Sequence, residues 1–235
     1  MASVASAPTA KSPRRAEYRF GIVFLLILGL LVFQVLSPDD DLARAVAIAL
    51  AGAALTVAVA TSRAREQARR HRALAVGVCA LVGVIGVATG AVSAAVAFVV
   101  ALLLLVALPI ALGGGLLRLI REHGVTPQAV AGALTVYLLV GLLFASVIAF
   151  ISHVQSGPYF AQGTHVPNGV RVYYSFTVLT TTGFGDYNAA TAVGRALALL
   201  EMLTGQLYLV TVIGIVVGNY AGRRLRSGEA DEARI

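Results

Sequence analysis

Apolar residues in this chain come in long unbroken runs, and the polar residues are confined to the gaps between them. Phe20 to Leu36 gives 17 residues dominated by apolar side chains, and Ser37-Pro-Asp-Asp-Asp41 then interrupts with a helix breaker and three acids. Leu42 to Thr61 forms a second run. Residues of about 72–88 and 92–112 form a third and a fourth around a turn near Gly90, and 128–151 and 196–218 a fifth and a sixth. A helix needs ~20 mostly apolar residues to cross a bilayer, so the pattern predicts six transmembrane helices. The triple glycine Gly113-Gly114-Gly115 is expected to end the fourth. The exception to the pattern is Tyr173 to Asp186, Tyr-Tyr-Ser-Phe-Thr-Val-Leu-Thr-Thr-Thr-Gly-Phe-Gly-Asp, which lies between the last two runs and is too short and too polar to span.

Composition narrows the class. With 58% hydrophobic and 12% charged residues and a mean hydropathy of +0.86, the chain reads as an all-α integral membrane protein and not as a soluble domain. The net charge of +7 follows topology. Lys11, Arg14, Arg15, Arg19, the five arginines between 63 and 72, Arg118, Arg121, Arg223, Arg224, Arg226 and Arg234 make 15 of the 18 basic residues, and all fall on one side if both termini are cytoplasmic. Only Arg44, Arg171 and Arg195 fall outside. The expected location is therefore the cell membrane, with membrane lipid as surroundings, anionic lipid at the cytoplasmic basic loops as a candidate contact, and no nucleic-acid partner. A signal peptide is the competing reading of the first basic and apolar stretches, opposed by the lack of a small-residue cleavage site directly after them. Cys79 stands alone in an apolar run, which excludes an intrachain disulfide or cysteine metal site and reads as a buried structural thiol.

The Tyr173–Asp186 stretch carries the chemistry. Non-helical backbone at membrane depth is tolerated only where protein buries it or where it lines a water-filled cavity. Residues 172–180 are expected to form a short re-entrant helix, after which Gly183 and Gly185, at alternating positions, let the chain run extended. Carbonyls of Thr181, Thr182, Gly183 and Phe184 lining an axis can then replace the water around a dehydrated cation.

Those residues resemble the pore of potassium channels, whose usual filter is Thr-Val-Gly-Tyr-Gly followed by Asp. The likeness covers about residues 128–220: paired aromatics Tyr173 and Tyr174 open the pore helix, and Gly194-Arg195 and a mid-helix Gly205 follow as in two-helix bacterial pores. Thr182 replaces the usual Val and Phe184 the usual Tyr. The resemblance implies a homotetramer with a central pore, K+ ions held by Thr181, Thr182, Gly183, Phe184 and Gly185, an acidic mouth at Asp186, a hydroxyl ring from Thr181, filter support from Tyr173, Tyr174 and Thr177, and a gating hinge at Gly205. Close packing is the alternative for Gly205, as Gly214 and Gly218 follow four apart. No other cofactor is implied. The organisation expected is a disordered tail 1–19, a four-helix region 20–121, a pore domain 122–220 and a cytoplasmic tail 221–235.

Six spans with the pore last is also the layout of voltage-gated channels, but Ala91 to Leu112 contains no Lys or Arg. Arg118 and Arg121 follow the triple glycine and read as interfacial anchors, so little voltage dependence is expected. Glu201 is the one acid inside an apolar run. A buried carboxylate is costly, so it should be protonated or face a polar partner, with Thr177, Tyr173 and Tyr174 as candidates and filter bracing as the role. His153 and His165 in the 153–171 connector read as solvated loop residues before pore modulators. No Ser-His-Asp set, P-loop or catalytic carboxylate pair appears, so no enzyme is expected. Passive K+ conduction is the reading; a weakly selective monovalent cation channel, a non-conducting membrane sensor or subunit, and a channel-like transporter subunit are its rivals. The transporter is opposed by the single pore repeat.

Overall fold

The computed structural model describes residues 20–38, 40–61, single positions between 103 and 120, 124–163 and 166–218. The expected tails, the basic loop 63–72, the third span with Cys79, Arg118, Arg121 and His165 lie outside the described residues.

Helix α1 (Phe20–Leu36) buries Phe20, Val23, Ile27 and Leu30, a stripe at three- and four-residue steps that forms one face of the helix. Asp40 accepts from the Ala43 amide at 2.7 Å and so caps α2 (Asp41–Thr61), which returns alongside α1. The buried face of α2 is made largely of alanines (Ala45, Ala51, Ala54, Ala58), and such small side chains let helix axes approach closely. Thr126 accepts from Ala129 N at 3.3 Å and Pro127 occupies the first turn of α3 (Pro127–Val154), a standard helix start. The helix runs three residues past the expected 151, to Val154.

Leu112, Gly113, Leu116 and Ile120 are helical, and Gly114 and Gly115 of the triple glycine lie outside the described residues. Leu112 and Leu116 are buried in the same core as α1 and α3, and that packing outweighs the roughly 1 kcal/mol helix penalty of a glycine. The re-entrant helix, expected over 172–180, is α4 (Asn168–Leu179) and begins four residues earlier. Pro167 pre-sets its start, and Gly169 is tolerated in its first turn because that turn presses on another helix.

The second long helix, α5 (Ala192–Leu207), is capped by Thr191, which accepts from Gly194 N at 3.1 Å. It passes into a π-helical segment at Tyr208–Ile213 and resumes as α-helix to Gly218. Among the described residues, two helices are long and apolar enough to cross a membrane: Pro127–Val154 and Ala192–Gly218. Phe20–Leu36 and Ala45–Ala58 are shorter apolar helices.

Helix α1 is clasped at both ends. The Gly21 amide donates to Gln128 Oε1 at 3.0 Å at the start of α3, so α1 and α3 begin on the same side. At the far end Asn168 Nδ2 donates to Gln34 Oε1 at 3.3 Å, and a Cβ on Gly169 would lie 2.6 Å from the Val35 carbonyl oxygen. The first helix therefore buttresses the start of the re-entrant helix directly. Gly169→Ala is expected to destabilise the fold by about 1–3 kcal/mol, because backbone must move to admit the methyl. Gly29→Ala, whose Cβ meets nothing within 4 Å, is expected to stay within about 0.5 kcal/mol. Thermal unfolding of the two variants in detergent compares them.

Candidate functional site: the re-entrant loop

Helix α4 stands between α3 and α5 and is held by polar contacts at one level. The Ser175 hydroxyl, fully buried, donates to the Gly141 carbonyl of α3 at 2.7 Å and also contacts Glu201 Oε1 of α5. Glu201 is fully buried, and its Oε2 has no hydrogen-bond partner among the described residues. Of the three partners expected for Glu201, none serves. Thr177 turns back to the Tyr174 carbonyl at 2.8 Å, the local bond that threonines in helices commonly make. Ser175, two residues earlier, supplies the hydroxyl instead. Helical spacing explains the difference: Ser175 lies on the α4 face that α3 and α5 share.

The tip of α4 is set by its last carbonyl. Tyr137 Oη approaches Leu179 O at 3.4 Å, and a Cβ on Gly205 would fall 2.2 Å from that same oxygen. Glycine is required there, because any side chain collides with backbone. The helix is regular through Gly205 and departs from α geometry at Tyr208, and close packing on Leu179 accounts for a glycine here. Tyr208 itself donates to the Ala133 carbonyl at 2.8 Å and stacks on Tyr137 at 5.9 Å.

Beyond Leu179 the backbone alternates in hand. Thr181 has φ 57°, Gly183 φ 53° and Gly185 φ 80°, so every second residue is left-handed. Glycine takes this conformation freely, whereas for Thr181 it is costly and must be held by neighbours. Those neighbours are hydroxyls and an amide. Thr180 Oγ1 donates to Phe176 O at 2.7 Å and lies 2.8 Å from Thr182 Oγ1. Thr181 Oγ1 donates to Thr180 O at 2.7 Å and accepts from Gln206 Nε2 at 2.7 Å. Thr180 to Asp186 are all exposed on the single chain.

Past the tip, Phe184 stacks parallel to Tyr173 at 6.3 Å, and the Tyr173 phenol faces the Asp186 carboxylate. Asp186 Oδ1 accepts from Tyr187 N at 3.1 Å and Asn188 Nδ2 donates to Gly185 O at 3.0 Å, which ties the return of the chain to its tip. The return is then stitched to the connector: Ala161 N donates to Asn188 O at 2.9 Å and Ala190 N to Tyr159 O at 2.8 Å. Tyr159, Phe160 and Tyr174 pack edge to face, with Phe160–Tyr174 centroids 5.0 Å apart. Burial first, then Tyr174 and Glu201, push the Tyr159 phenol above the usual range and keep it neutral. The Tyr159–Phe160 pair escaped the sequence reading, since a loop dipeptide carries no periodicity; only its two aromatics among polar residues signalled burial. His153 is exposed at the end of α3.

Residues 136–220, from within α3 past the end of the second long helix, match the family of ion channels. No curated protein matches the chain. The family match supports a channel function, and the two helices among the described residues that are long and apolar enough to cross a membrane accord with it.

Ser175→Ala is expected to destabilise the fold by about 1–3 kcal/mol, as it leaves the buried Glu201 carboxyl group without its hydroxyl partner. Combined with Glu201→Ala it should show about 1 kcal/mol or more of coupling in a thermal-unfolding double-mutant cycle.

Proposed function

We propose that the chain is the subunit of a potassium-selective channel in which four copies surround a central pore. The observation that carries this reading is the alternation of left-handed backbone at Thr181, Gly183 and Gly185 on an exposed segment between two membrane-length helices. Backbone that alternates between the two hands turns successive peptide groups the same way, N–H to one side and carbonyl to the other. A segment so arranged presents carbonyls of Thr181, Thr182, Gly183, Phe184 and Gly185 as a row of oxygens suited to a dehydrated monovalent cation.

One chain supplies one such row, and one row does not enclose an ion. Closed four-fold symmetry gives the missing ligands with identical contacts. The apolar side chains left exposed along α5 and the π-helical segment after it, including Leu199, Leu203, Leu207 and Val210, together with Phe184 at 69% exposure, give that assembly its contact surface. Asp186 then forms an acidic ring at the mouth, and Tyr173, Tyr174, Ser175 and Glu201 support the filter from behind. Thr182 and Phe184 leave every carbonyl in place. A weakly selective monovalent pore is the second reading, favoured by Phe184, which has no hydroxyl to fasten the filter and holds only by stacking on Tyr173.

The deciding experiment is the reversal potential of purified protein in planar bilayers under K+/Na+ bi-ionic conditions. A reversal far toward the K+ equilibrium potential is expected; one near zero with clear single-channel currents selects the weakly selective pore. Asp186→Asn should lower K+ conductance about two- to five-fold at roughly 0.01 M salt, where the Debye length is ~30 Å, and converge with the unmodified channel near 1 M.

A further inference from the structure

The hydroxyl of Thr181 is held from outside its own segment, by the amide of Gln206 on α5. A threonine hydroxyl has one proton and two lone pairs. Its proton goes to Thr180 O at 2.7 Å, and Gln206 Nε2 occupies one lone pair at 2.7 Å. One lone pair is left for a ligand. Gln206 reaches this position because its neighbour Gly205 brings the α5 backbone against Leu179 O, with no room for a Cβ between them. Two residues later Tyr208 anchors the same helix to Ala133 O at 2.8 Å. The amide is thus delivered to Thr181 by packing on both sides of it.

We propose that Gln206 is a positioning residue for the innermost cation site, setting how tightly the Thr181 hydroxyl binds the ion. This rests on the pore reading above. The amide hydrogens are the positive end of the side-chain dipole, and they point at the oxygen that would ligate the cation. They withdraw electron density from that oxygen and place partial positive charge beside the ion, so the site binds less tightly than four free hydroxyls would. Conduction needs binding that is favourable enough to admit the ion and weak enough to release it, and a neutral amide supplies the weakening without a charge that would repel the ion outright.

The experiment compares block by Ba2+, a divalent cation close to K+ in size, applied from the α5 end of the pore. Removing the amide in Gln206→Leu, or in the better volume match Gln206→Met, is expected to strengthen block about three- to ten-fold, the equivalent of one hydrogen bond. The effect must vanish in a Thr181→Ala background, because the amide reaches the ion through that hydroxyl; a loss of helix packing at Gln206 would persist there. If no current flows, the same comparison is read from K+ binding to the purified protein by calorimetry, with the same direction and the same dependence on Thr181. Unmodified protein that responds to Ba2+ or binds K+, with variants unchanged or with the change surviving Thr181→Ala, overturns the role of Gln206 alone. Unmodified protein that neither conducts nor binds K+ overturns the pore reading, and this inference with it.

Discussion

The Leu179 carbonyl is where the three helices of the loop region are forced into register. It ends α4, accepts the Tyr137 hydroxyl of α3, and lies so near Gly205 of α5 that a methyl there would sit 2.2 Å away. A helix that stops inside a low-dielectric region leaves its last carbonyls without partners, and in lipid each such group costs several kcal/mol. Packing α5 hard against that end, with a tyrosine brought in from α3, keeps the terminus out of lipid. The left-handed Thr181 follows two residues later. Its strained backbone persists because the position of Leu179 before it and the Gln206 amide beside it leave little alternative.

A second layer of constraint lies deeper. Ser175 joins Gly141 and Glu201, so one hydroxyl ties all three helices at a level where no water competes. A third lies at the outer end of the loop, where Phe160 and Tyr174 pack edge to face and two backbone hydrogen bonds stitch the connector to the returning chain. Between these layers the Thr180–Asp186 segment has almost no hydrophobic contact of its own. It is held by side-chain and amide contacts at Thr180, Thr181 and Gly183 and by Asn188 on the Gly185 carbonyl, and among the described residues the carbonyls of Thr181 to Phe184 accept no hydrogen bond.

Helix α1 is not a passive appendage in this geometry. Through Gln34 and Val35, α1 touches the first turn of α4, and through Gly21 it touches the first turn of α3. A displacement of α1 along its axis is therefore felt at the base of the loop as well as at the outer helix. These contacts join α1 both to the outer helix and to the loop.

Much of this was written in local residue order. Long apolar runs dictate helices, since backbone in lipid must satisfy itself, so α1, α3 and α5 were legible to within a few residues, as was the polar interruption that becomes the loop. Alternate glycines at 183 and 185 marked the backbone conformation of the loop, because such effects act over one to four residues. What local order did not carry was anything decided by close approach between distant segments. The extension of α4 back to Asn168 depends on Val35, the helicity at Gly113 on burial beside α1 and α3, and the partner of Glu201 on which face of α4 meets α5. The left-handed Thr181 and its amide partner Gln206 belong to the same class. Periodicity says that a residue will be covered; only packed helices, with their axes and rotations set by every contact at once, say by what.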